Sequence, residues 1–172
     1  MKKMKRLVAV LLVGIMALAM LTACGVTPSA PSMRDTALER DVAKWTVEWG
    51  QSKGQTLTLD PELTEISNKC LPTAVKAENA RLAFPKDQNA SDDALKERET
   101  FFAAAKNGKK AALVPVTIPS VEIVTKVTLA DAVSKMDVPS NLEQAGVMNP
   151  TKFGVTVTKQ KEYTLVLFVV SE

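Results

Sequence analysis

"YTLVLFVVSE", Tyr163 to Glu172, carries an apolar run from Leu165 to Val170 with no polar residue to mark a solvent face. A strand with one wet face alternates, so this run reads as a central strand covered on both sides; exposed, it would be an aggregation hazard. Immediately upstream, Phe153 to Thr158 alternates, and the polar residues Lys159 to Glu162 between the two stretches make a short turn. The pair is a terminal hairpin, Phe153–Thr158 with Tyr163–Val170. A strand dry on both faces needs helices to cover it, and the earlier part of the chain supplies them.

Thr36-Ala37-Leu38-Glu39 reads as a capping box opening a first helix with Leu38, Val42, Trp45 and Trp49 on its apolar face, and Gly50 and Gly54 mark its end. Both tryptophans are expected in the core. Asp60 and Pro61 are a good N-cap and first-turn pair for a second helix through Leu63, Ile66 and Cys70. Pro72 breaks or restarts it, and a further helical stretch runs from about Thr73 to Leu82. Ser91 caps a third helix with Leu95, Phe102 and Ala105 inward, ending at Asn107-Gly108. Ala111 to Ile118 and Val121 to Val127 are β-branched and bounded by prolines, hence extended, and Thr128-Leu129-Ala130-Asp131 begins a short helix to about Met136. Ser140 to Val157, "SNLEQAGVMNPTKFGVTV", is helical or turning until Asn149-Pro150 breaks it ahead of the hairpin. Helices first, a three- or four-stranded sheet, and a helix before the last hairpin make an α+β domain.

The amino terminus belongs to another category. Lys2, Lys3, Lys5 and Arg6 precede an apolar run from Leu7 to Met20 that closes on Leu21-Thr22-Ala23-Cys24. This is the pattern of a secretory signal whose cleavage makes Cys24 the new first residue and the site of lipid attachment, a bacterial lipobox. The run is shorter than the ~18 residues a spanning helix wants. The expected organisation is a signal peptide over residues 1–23, a Pro-rich flexible tether over 24–34 with lipidated Cys24, and a folded domain over 35–172. The protein is then held to a membrane by Cys24 on its extracytoplasmic face, at the cell surface or in the periplasm.

Removing the signal peptide takes away four basic residues and no acidic ones, so 22 Lys and Arg against 19 Asp and Glu become 18 against 19. No basic face is left to favour nucleic acid. Lys106 to Lys110 is read as a solvated helix end. With Cys24 spent on lipid, Cys70 stands alone on the apolar stripe of the second helix and is expected to be a buried structural thiol. The chain has no histidine. No Ser-His-Asp, Cys-His or histidine metal set can be built from it, and no phosphate-binding glycine loop is present, so no catalytic residue, metal or cofactor is assigned.

Two stretches, taken in order, resemble the CAP superfamily, the cysteine-rich secretory, antigen 5 and pathogenesis-related group. "GQTLTLDPELTEIS", Gly54 to Ser67, is similar to the family's turn into its second helix. "EQAGVMNPTKFGVTV", Glu143 to Val157, keeps an Asn-Pro break, an aromatic at Phe153 and a Gly-Val strand start. The resemblance implies a three-layer α-β-α sandwich with a small, mainly antiparallel sheet. It also implies a cavity whose acidic residue falls on Glu122 and one of whose histidines falls on Glu143. The other histidine has no counterpart, so the resemblance implies a cavity whose metal chemistry has been lost. The alternative for Glu122 and Glu143 is that both are solvated surface residues.

The expected function is that of a non-catalytic extracytoplasmic lipoprotein whose degenerate CAP-like domain binds a protein partner or an apolar ligand. Two alternatives stand beside it: a hydrolase acting on cell-envelope polymers through paired carboxylates, and a carrier of small apolar ligands.

Overall fold

The computed structural model describes residues 34–84 and 86–172; the expected signal peptide, Cys24 and the expected tether as far as residue 33 lie outside the described residues. Helix α1 is Thr36–Ser52, strand β1 Thr58–Leu59, helix α2 Pro61–Ala83 and helix α3 Gln88–Ala105. Strand β2 is Ala111–Pro119, followed by the short helices α4, Lys126–Ser134, and α5, Val138–Gln144. Strands β3, Lys152–Lys159, and β4, Tyr163–Ser171, close the chain as the expected hairpin. Among the described residues no helix is long and apolar enough to cross a membrane.

The four strands form one sheet in the order β1-β3-β4-β2, antiparallel except for the short parallel pairing of β1 with β3. Strand β4 lies between β3 and β2, and its side chains divide by parity. Val166 and Phe168 join Val42, Val116, Ile118, Phe153 and Leu129 in a core under α1, α4 and α5. Leu165, Leu167 and Val169 join Leu63, Ile66, Cys70, Leu71 and Ala74 in a second core under α2, with Phe102 and Ala105 of α3 packed against it. This is an α+β fold with helices on both faces of the sheet, and the period-2 geometry of β4 feeds both cores from one apolar run.

Several local expectations give way to longer-range contacts. Pro72 does not break α2, which continues from Pro61 to Ala83. The buried stripe Ile66, Ser67, Cys70, Leu71, Ala74 and Ala77 passes straight through Pro72, and burying it against the sheet outweighs the roughly 3 kcal/mol a mid-helix proline costs. Helix α3 starts three residues before Ser91, with Asp87 as N-cap accepting from the Ala90 amide at 3.0 Å, and Ser91 is buried in its first turn. The stretch Val121–Val127 is not a strand: it turns, and α4 begins at Lys126 behind a Thr125/Thr128 capping box. β-branched residues make a strand only where a neighbour offers a ladder, and β4's pairing with β2 ends at Pro119 opposite Tyr163. Trp45 packs against the first core as expected, while Trp49 remains 44% exposed.

Candidate functional site

The capping box expected at Thr36–Glu39 is replaced by a different arrangement. Asp35 is the N-cap, its carboxylate accepting from the Leu38 amide at 3.0 Å. Glu39, thereby free of the cap, is buried and reaches the sheet: its Oε1 accepts from the Val157 amide at 3.0 Å and from Arg34 Nε at 2.6 Å. The Asp35 amide donates to the Val157 carbonyl at 2.9 Å, and Arg34 makes an isolated bridge with Thr158. Strand β1 covers only the first residues of β3, so Arg34, Asp35 and Glu39 pair the edge that β1 leaves open.

This entry point forms one wall of a half-open cleft of about 430 Å³ at the hairpin end of the sheet. The opening turns of α1 contribute Asp35, Leu38 and Asp41; the loop after β2 contributes Ser120, Glu122, Ile123 and Val124; the hairpin turn contributes Lys159 and Gln160. Two contacts hold the walls in register. Lys159 Nζ lies 2.7 Å from Asp35 Oδ2, and the Ser120 amide donates to the Glu162 carbonyl at 2.9 Å. The Lys159 ammonium, with the Leu38 amide behind it, holds the Asp35 carboxyl below its usual range. Asp35 is therefore committed as a charged cap.

Of the two acids singled out in the sequence, Glu122 lines this cleft. Glu143 is an exposed residue of α5 and does not line it. Asp35, Asp41 and Lys159 were missed, and only Asp35 had a local signal, as a cap-type residue directly before Thr36. Lys159 becomes its partner through the pairing of β3 with the α1 entry, 124 positions away along the chain. Among the described residues no set of three or more His, Cys, Asp or Glu side chains is gathered at metal-ligand spacing.

The two stretches Gly54–Ser67 and Glu143–Val157 are neighbours in space. Thr58 and Leu59 pair in parallel with Lys152 and Phe153, and the Asp60 amide donates to the Phe153 carbonyl at 2.7 Å. Asp60 caps α2 while Gly154 admits its first turn against β3.

A second polar cluster lies at the same end on the opposite face. Burial pushes the Glu78 carboxyl up, but the Arg81 guanidinium, the Thr117 hydroxyl and the charge of Arg98 outweigh that and hold it below its ordinary range. Tyr163 donates its hydroxyl to Asn79 Oδ1 at 2.8 Å, and burial lifts its pKa to about 12. This cluster ties α2 to β2 and β4 and opens onto no described cavity. No family model, curated protein or solved structure matches the chain.

Proposed function

We propose that the protein is an extracytoplasmic lipoprotein, anchored through Cys24, whose folded domain is a non-catalytic binding module of CAP-like design with the cleft at the hairpin end as its contact site. The observation that carries this reading is the ion pair that spans the cleft between its walls. Asp35 and Lys159 neutralise one another and hold the walls together, while Leu38 and Val124 offer apolar surface beside Ser120 and Gln160. Such mixed walls suit recognition of a ligand with apolar and hydrogen-bonding parts.

The neighbouring positions of the two motif stretches support the CAP-like part of the reading, as does the layering of helices on both sheet faces. The hydrolase alternative draws on Asp41 and Glu122, which share the cleft. A general acid at neutral pH needs a carboxyl withdrawn from water, and both of these are exposed. The test is incubation of the full-length protein with purified cell-wall polymer. Sedimentation with the polymer, weakened by Leu38→Lys and unaffected by Glu122→Gln, without release of soluble fragments, is the expected result. Fragment release abolished by Glu122→Gln would overturn the non-catalytic reading. The anchor is tested separately by Cys24→Ala, which should release the chain from membranes or stall it as the precursor; maturation with covalent lipid still attached would contradict it.

A further inference from the structure

Three exposed apolar side chains stand just beyond the end of β2: Val121 is 92% exposed, Ile123 81% and Val127 76%. The loop that carries Val121 and Ile123, and leads into α4 with Val127, is tied down at several points. The Ser120 amide is bonded to the Glu162 carbonyl, the Glu122 amide donates to the Pro119 carbonyl at 3.0 Å, and Thr128 Oγ1 donates to the Ile123 carbonyl at 3.0 Å. The capping box of Thr125 and Thr128 then sets the direction of α4. Hydrogen bonding therefore fixes these side chains in water, where leaving them costs hydrophobic free energy that an occupant would recover.

The chain enters the folded domain at this same end. Asp35 and Ile123 line one cleft, and Arg34 and Asp35 are bound to the last residues of β3. The inference that follows rests on the lipoprotein reading above. Ten residues connect Cys24 to Arg34, and a chain of that length spans at most about 35 Å however it runs. A lipid on Cys24 would thus keep the Val121–Val127 end of the domain within one short tether of the bilayer. We infer that the loop Ser120–Thr125, with Val127 of α4, is a membrane-contact surface that seats Val121, Ile123 and Val127 in the headgroup and upper acyl region of the bilayer to which Cys24 is attached.

The charges around the loop set the character of the contact. Lys126 is paired with Glu48 at 2.7 Å and Lys159 with Asp35, so no unpaired basic patch is formed by these two lysines to draw anionic lipid. The apolar side chains carry the attachment, which should persist in neutral phosphatidylcholine and at high salt, unlike a polybasic contact.

The test uses the full-length protein, matured in cells and purified with its lipid, carrying either Ile123→Cys or Lys110→Cys, the latter beside the opposite end of the sheet. Each is labelled with an environment-sensitive fluorophore and reconstituted into phosphatidylcholine vesicles containing doxyl-labelled lipid; Cys70 is buried and stays unlabelled. Quenching several-fold stronger at position 123 than at 110 is expected, unchanged by high salt. With the label moved to Val127→Cys, adding Val121→Asp should reduce its quenching. A lipidated protein that floats with the vesicles but shows equal quenching at 123 and 110 overturns the contact and leaves the anchor standing. A protein that carries no lipid and does not float defeats the anchor reading and this inference with it. A label at 123 that is shielded from aqueous iodide but not quenched by lipid, whether by a second copy or another protein, also overturns it.

Discussion

Gly154 lies so close to the first turn of α2 that a Cβ built on it would meet the Leu63 carbonyl carbon and the Thr64 amide nitrogen at 2.1 Å. No side chain is involved in that approach, so nothing can rotate away. Gly154→Ala must push α2 off the sheet, taking with it the bond from the Asp60 amide to Phe153, and should cost on the order of 3 kcal/mol or more. Urea unfolding of wild type and variant measures this. An alanine variant with an unchanged midpoint would show that the approach is not close.

Ser67 is buried on the same face, bonded at 2.7 Å to both the Leu167 carbonyl and Thr156 Oγ1. A carbonyl only accepts, so the Ser67 hydroxyl donates to Leu167 and Thr156 donates to Ser67. Ser67→Ala strands the Thr156 hydroxyl in a dry core and should cost about 1–3 kcal/mol. Combining it with Thr156→Val removes the stranded group, so the double variant should lose less than the two single losses added together, by about 1 kcal/mol. Additive losses in a double-mutant cycle would mean the two hydroxyls do not share a bond.

Acid stability should depend on Glu78. Its folded pKa lies below its ordinary 4.5, so the contribution is fully present above that value and is lost as pH falls through the folded one. Asp35, held down by Lys159, contributes with the same sign. In urea midpoints recorded from pH 6 to pH 3, Glu78→Gln should be less stable than wild type at pH 6 and the gap should narrow toward pH 3. A gap that is constant across the range would assign the loss to packing alone.

Cys70 has no exposed surface, and burial raises its thiol pKa to about 11. Thiolate is the reactive form, so alkylation of native protein near pH 8 should be slow and should accelerate in step with global unfolding as urea is added. Mass spectrometry of iodoacetamide-treated protein reads this directly. Complete modification of Cys70 in the absence of denaturant, within the time that labels a free thiol, would contradict the burial.

How much of this was legible in advance follows from the range of each interaction. The apolar run Leu165–Val170 determined by itself that a strand with two dry faces would need helices on both sides, because side-chain alternation is a property of any extended chain. The hairpin turn, the Asp60-Pro61 helix start, the helix end at Asn107 and Gly108, both with positive φ, and the buried Cys70 were likewise written in neighbouring residues. Tertiary structure decided the rest. Pro72 sits inside a helix because the sheet rewards an unbroken stripe. Val121 and Ile123 leave the sheet because no neighbouring strand extends past Pro119. Glu39 abandons its local cap for the Val157 amide 118 positions away. The cleft itself exists only where the start of α1, the end of β2 and the hairpin turn converge, and no local signal encodes that convergence: the free energy of each choice lies in partners that folding alone brings within reach.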